Sequence, residues 1–574
     1  MKKIFFVFLL SAFIGIVFSS CSKALETSSE MVEFVDDNNL NTPEDTLYSV
    51  MGIIRQMQVI ADRTVLLGEL RGDLMTTTDK ATTDIKNLAN FSFDEENQYN
   101  KISDYYAVIN NCNYFLSKAD PTMERLGKKI FEKEYAAVKA FRAWTYLQLA
   151  KIYGEIPVVT EPILTEEDAE KELKQPRYSI TDVCNTFIED LLPYVDTQLP
   201  AYGVIGNYES EKFFVPVRVL IGEMCLWAGR YQEAAQHFYN YLTFNDNPQP
   251  TQSASIAWGG VNNRNFVEAW ISNSITSTLT NMAGAEQLMY IPMESSEFYG
   301  VRTQLDNIYN STENNNYYCQ AIPSKALRLL SASQRYVYLS QTSETQKDTI
   351  YANEYTSQLD DALKVGDLRL YGTYRTNHVN RDESSKYSSE VQTISKLTTE
   401  FVPFYRLQRV YLLFAEALCN AGYPESAFCI LKYGLRNFNI ERYISAQERN
   451  RAGSLLNFRD EDFTEYNTQG IHSRGCGNTD CDTLYSLPMP ASALASYQDT
   501  VSYQIPLVQD MITEEMALES AFEGNRFFDL LRVALRSDRD ASYLAAPISR
   551  RSGEQDQTLY NLLMEKKNWY LPYE

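Results

Sequence analysis

The sequence predicts a mostly α-helical chain: about four antiparallel helix pairs of tetratricopeptide-like (TPR-like) character, carrying a large irregular, loop-rich lobe. Two observations lead there. Two stretches far apart in the chain share one frame of small, glycine and aromatic residues, at the spacing of a tetratricopeptide repeat. Long segments rich in Asn, Ser, Thr, Gly and Tyr separate the helical stretches, so the pairs do not form a continuous solenoid.

The first segment is an address rather than part of the fold. Lys2 and Lys3 precede a nearly all-apolar run from Ile4 to Phe18, the length of a secretory signal and short for a bilayer span. It closes on Phe18-Ser19-Ser20-Cys21, which resembles the lipobox of bacterial lipoproteins. Residues 1–20 are therefore expected to be a signal peptide and Cys21 the lipidated first residue of the mature chain 21–574. One acyl chain holds weakly and two or more hold stably. Ser22 in place of Asp after the cysteine implies, by the same resemblance, no retention at the inner membrane. No later stretch reaches 18 apolar residues, so the mature chain is expected to be anchored without spanning.

The helix pairs follow in order. The first, about 128–195, opens with KEYAAVKAFRAWTYLQLAKIYGEIPVV (133–159) and continues in SITDVCNTFIEDLLPYV. The second, about 215–243, places Gly222, Gly229, Tyr231, Ala234 and Phe238 in the repeat frame. Small residues let two antiparallel helices approach, and Gly229 turns the chain between them. The third, about 404–438, repeats the frame with Ala415, Gly422, Ala427 and Leu431, and Leu407, Val410, Tyr411, Phe414 and Leu418 mark one buried face. The fourth, about 511–536, is ITEEMALESAFEGNRFFDLLRVAL with Gly524 between its helices. A single pair cannot bury its apolar face, so the pairs must stack on one another. The irregular lobe is expected at about 244–400 and 440–510.

Composition narrows the function classes. The formal charge of −23 opposes nucleic-acid binding, which needs clustered Lys and Arg. Nine cysteines in 574 residues make no disulfide scaffold, and Cys112, Cys225, Cys419 and Cys429 sit in helical patterns as small core residues. The three histidines, His237, His378 and His472, lie far apart. There is no G-x-S-x-G, P-loop, G-x-G-x-x-G or H-E-x-x-H pattern, so no catalytic residue, metal or cofactor is assigned.

Beyond the lipobox, the segments GELRGD (68–73), AFRAWTYLQLAKIYGEIPVV (140–159), FYRLQRVYLLFAEALCNAG (404–422), EGNRFFDLLR (523–532) and WYLPYE (569–574), in this order, resemble the SusD/RagB family of outer-membrane nutrient-binding lipoproteins. The resemblance covers nearly the whole chain. It implies a non-enzymatic, surface-facing lipoprotein of the outer membrane, held by lipid at Cys21. Such a protein captures an oligosaccharide, or in other members a peptide, and closes as a lid over a SusC-like TonB-dependent barrel. The alternatives are a lid of a peptide importer and a surface glycan-degrading enzyme, which would need two carboxyls placed in space.

Candidate ligand residues follow from that setting. Arg71 and Asp73 form a charged pair on a turn that, by resemblance, lies near the ligand surface; the alternative is a structural ion pair. Arg526 reads as scaffold, a buried guanidinium between helices. Aromatic rings in polar loops stack on the C–H faces of sugars, which selects Phe91, Trp270, Tyr299, Tyr317 and Tyr318, with Trp258, Tyr290 and Phe298 beside them. In GIHSRGCGNTDCD (470–482), His472, Cys476, Cys481 and Asp482 lack the tight pairs of a zinc site. A local Cys476–Cys481 disulfide, or a Gly-rich loop at the barrel interface, is the alternative, and the run lacks the spaced carboxylates of a calcium loop.

Overall fold

The computed structural model describes residues 43–574 apart from 173, 244–285, 297, 310–318, 336, 342–346, 352–365, 381–387, 395, 397–399, 465–467, 477–484 and 574. Cys21 lies outside them. No helix among the described residues is long and apolar enough to cross a membrane.

The chain is mostly helical. α1 (Pro43–Glu69) is followed by α2 (Ile102–Lys118), α3 (Glu132–Tyr153) and α4 (Ile180–Leu191). α3 packs against α2 on one side and α4 on the other. It is therefore buried at every residue from Ala140 to Tyr153, its charged Arg142 and Lys151 included. Ser179 and Asp182 close a reciprocal cap at the start of α4, which fixes where that helix begins.

α5 (Val217–Trp227) and α6 (Tyr231–Leu242) form the first pair in the repeat frame. A Cβ at Gly222 would stand 2.7 Å from the Phe238 ring, so only glycine allows this helix approach. Gly229, at φ +73°, supplies the left-handed turn between them. α7 (Leu407–Asn420) and α8 (Pro424–Lys432) form the second, turned by Gly422 at φ +95°. α6 packs on α7, so two pairs separated by a long insertion stack directly in space.

The last pair differs from expectation. Its first helix, α9, runs Tyr497–Glu519, starting well before 511 and taking in residues assigned to the lobe. The helix carries Pro506 in its interior, and Arg539 donates to the Pro506 carbonyl at 2.9 Å. α10 (Arg526–Ala534), α11 (Ser542–Ser549) and α12 (Gln557–Leu563) follow, each packing on the one before, and α7 and α8 both pack on α9.

The strands among the described residues pair two by two. β1 (Met75–Thr77) runs antiparallel to β3 (Ala321–Pro323), and β2 (Gln287–Pro292) to β4 (Phe401–Arg406). Two further antiparallel hairpins, 337–351 and 374–394, occupy the lobe. β1–β3 and β2–β4 tie the lobe back onto the helices.

Candidate functional site

The C-terminal half of α1 holds a loop of the lobe in place. Gln58 donates to the Pro292 carbonyl at 2.6 Å and accepts from the Val301 amide at 3.0 Å. One turn on, Asp62 accepts from the Thr303 hydroxyl at 2.6 Å and the Gln304 amide at 2.7 Å. Burial raises the Asp62 pKa, and these two donors oppose the rise. Gly300, at φ +154°, lies so close to Gln58 that a Cβ would stand 1.9 Å from its amide oxygen. The loop is thus fixed at four points, and Tyr299 projects from it with 86% of its surface exposed.

Beneath Tyr299, Phe298 packs edge-on against Tyr208 and Phe213, each at 5.8 Å, and Tyr290 is fully buried in the same cluster. Those rings anchor the loop and leave Tyr299 as its free aromatic face. A second segment lies alongside through β1 and β3: Thr78 donates to the Cys319 carbonyl at 2.6 Å, and Gln320 accepts from the Thr82 amide at 3.0 Å. The loop 90–100 continues from it, with Gln98 donating to Asp84 at 2.9 Å. An exposed tyrosine, with amides and carboxylates on neighbouring loops, is chemistry suited to a hydroxylated ligand.

Three expected ligand residues are corrected. Arg71 is fully buried; it donates to the carbonyls of Leu67 (2.7 Å) and Trp569 (3.0 Å) and lies 4.1 Å over the Phe527 ring. Asp73 is buried and takes a two-pronged ion pair from Arg526, at 2.6 and 2.9 Å. The turn faces the helices α9–α10, so its charges serve packing. Phe91 is buried too, at φ +55°, against Phe93 and Phe527. Arg526 is the scaffold residue expected, donating also to the Thr513 carbonyl at 2.9 Å. Trp258, Trp270, Tyr317 and Tyr318 lie outside the described residues. So does Cys481, and with it the Cys476–Cys481 pairing. His472 is taken up by Glu515, at 2.9 Å, and by stacking on Tyr485 at 3.6 Å.

A buried charge network went unread in the sequence. Arg369, Lys396, Arg406 and Arg474 converge on Glu286, Asp367, Glu515, Glu519 and Glu523, every one of them buried or nearly so. Burial alone would raise the Glu519 pKa. The charges of Arg474, Arg406, Arg369 and Lys396 overturn that and hold its carboxyl well below the usual range. The one available signal was the four-residue spacing of Glu515, Glu519 and Glu523 beside an apolar helix; their partners come from distant parts of the chain.

Residues 230–573 match the model of the SusD family. A curated SusD-like protein of Formosa agariphila is 24% identical over 193 residues, which cover 33% of this chain and only 36% of that protein. Among solved structures, a SusD superfamily protein from Bacteroides fragilis matches with a TM-score of 0.57 at 17% identity, over 93% of this chain and 96% of its own. A SusD-like carbohydrate binding protein of the same species matches at 0.53 and 12%, over 86% and 87%. NanU of B. fragilis matches at 0.51 and 15%, over 92% and 95%. At these identities the structural matches speak to the fold.

Proposed function

Because the chain belongs to the SusD family, we infer that it captures an oligosaccharide at the cell surface and delivers it to a TonB-dependent barrel of the outer membrane, over which it closes as a lid. Lipid at Cys21 would hold it there, since no described helix spans a bilayer. The observation that carries the reading is the exposed Tyr299 on a loop fixed to α1 in a fold shared with a carbohydrate binding protein. A loop already held in place gives up little backbone freedom on binding, which favours stacking of its ring against a sugar.

The test is isothermal titration of the mature chain against a panel of plant, host and fungal glycans and a peptide digest. Heat from one glycan class, lost in Tyr299→Ala with folding retained, is the expected result. Heat from peptides alone would replace the glycan with a peptide, and released sugar products would replace capture with hydrolysis. Co-purification of a large barrel from detergent-solubilised outer membrane tests the lid; its absence would remove that part.

A further inference from the structure

Arg71, the arginine of the GELRGD segment, is buried without a counterion among the described residues. It lies in the turn after α1, fully buried, with its guanidinium 4.1 Å over the Phe527 ring and 5.4 Å over that of Phe528. Nε donates to the Leu67 carbonyl at 2.7 Å and Nη1 to the Trp569 carbonyl at 3.0 Å. Nη2 has no hydrogen-bond partner among the described residues. Other buried arginines of the scaffold face carboxylates: Arg526 meets Asp73, Arg409 meets Asp529 and Arg532 meets Glu416. Burial lowers the Arg71 pKa to about 9, so at pH 7 its charge remains.

Two more orphaned donors belong to the same neighbourhood. The hydroxyls of Tyr105 on α2 and Tyr153 on α3 are buried and have no hydrogen-bond partner among the described residues. Their rings meet edge to face at 6.4 Å. With Tyr570 they are the ionisable groups whose charge bears on Arg71, and no carboxylate stands among them. Arg71 bears in turn on both hydroxyls. Arg63 lies 5.9 Å over the Tyr105 ring, but Asp104 already takes up its charge. Burial pushes the Tyr105 hydroxyl up to about 12 and raises that of Tyr153 too, so both keep their protons. The C-terminal segment is tied to the same helices: the Leu571 amide donates to the Ile152 carbonyl at 3.0 Å, and Asn100 donates to the Pro572 carbonyl at 2.9 Å.

A buried donor without an acceptor is costly, and a buried charge without a counterion costs far more. A bridging water would accept from two of these groups, but it brings no charge and adds two O–H groups of its own that need acceptors. An anion accepts from all three and neutralises the guanidinium. The three atoms are closed off from solvent by the rings around them, which suits an ion of one atom and not a phosphate or a carboxylic acid. We propose that Arg71 Nη2 and the hydroxyls of Tyr105 and Tyr153 bind a chloride ion, enclosed as the chain folds. The ion joins the turn after α1 to α2 and α3, and it stands apart from the Tyr299 loop and its ligand.

Two measurements on the purified mature chain test this. Crystals of protein refolded in sodium bromide should show an anomalous peak within hydrogen-bond distance of Arg71 Nη2 and both hydroxyls. In solution, the protein is unfolded in urea and refolded in sodium gluconate, then urea midpoints are compared in chloride and gluconate at matched ionic strength. A ligand held only by the folded state raises the midpoint with its concentration, so chloride should raise it and gluconate should not. The chloride affinity read from that rise should fall tenfold or more in the double variant Tyr105→Phe, Tyr153→Phe, which keeps both rings and removes only the hydroxyls. Arg71→Met should abolish the rise; where it folds poorly, the double variant still reads the site. Tyr299→Ala should respond to chloride as the wild type does. A neutral water at this point in place of bromide, a wild-type midpoint indifferent to chloride, or a chloride response unchanged in the double variant would overturn the proposal.

Discussion

Replacing Asp73 by Asn separates the two roles open to the GELRGD turn. The substitution is nearly isosteric, so it tests charge and not volume. In the wild type, Arg526 Nε and Nη2 donate to the two Asp73 oxygens at 2.6 and 2.9 Å, and both residues are buried. A carboxamide can accept only one of those bonds, and its own N–H₂ then faces the other guanidinium N–H. Arg526 keeps the Thr513 carbonyl but loses its counterion. Breaking one partner of a buried ion pair costs about 3–5 kcal/mol, a large share of the roughly 5–15 kcal/mol that holds a typical domain. Urea unfolding followed by circular dichroism should show the midpoint falling with an unchanged slope. Arg526→Gln alone and the double variant complete a cycle, and a coupling energy of at least about 1 kcal/mol is expected for a direct pair. A loss below about 1 kcal/mol, or glycan binding abolished with stability intact, would refute the structural role and return Asp73 to the ligand face.

Two further predictions test the pH response and the loop. Glu69 is fully buried and its pKa is pushed up to about 7, first by burial, against the opposing amides of Gly524 and Phe522. A carboxyl raised in the folded state stabilises below its unfolded pKa of about 4.5, and that contribution is lost as pH rises to about 7. Glu69→Gln should therefore gain stability relative to wild type between pH 5 and pH 8, by roughly 3 kcal/mol at about 1.4 per unit; urea midpoints at both pH values check it, and a difference independent of pH would count against it. Gly300→Ala drives a methyl into the Gln58 amide and should cost about 1–2 kcal/mol through two weakened hydrogen bonds, while glycan affinity in calorimetry drops tenfold or more; unchanged affinity would place the ligand elsewhere.

What the sequence made legible was local. The repeat frame works because each of its glycines answers one steric fact. Gly222 clears the Phe238 ring, and Gly229 and Gly422 adopt the left-handed turns. Such requirements fall within a single helix pair, so spacing reveals them. The Arg71–Asp73 turn failed for the opposite reason. Its partners are Trp569, Phe527 and Arg526, more than 450 residues away, and a charged turn reads as exposed until those are known. The same distance hid the network around Glu519, whose cations come from 369, 396, 406 and 474.

α1 links these buried contacts to the candidate ligand loop. Gln58 and Asp62 hold that loop, while Gly68 and Glu69, at the C-terminal end of the same helix, are locked against the turn at Gly524. A Cβ at Gly68 would stand 1.7 Å from the Gly524 carbonyl oxygen, so the helix end has no room to shift. A helix fixed at one end to the α9–α10 turn cannot slide or roll without breaking the Glu69 bonds to the Gly524 and Asn525 amides at 2.9 and 3.2 Å. The loop therefore inherits the rigidity of the helical core although its own sequence is irregular. For a binding surface that works by stacking and a few hydrogen bonds, this matters more than added contacts. Each immobilised side chain costs about 0.5–1.5 kcal/mol on binding when it starts free, and the fold has already restrained the backbone that carries Tyr299.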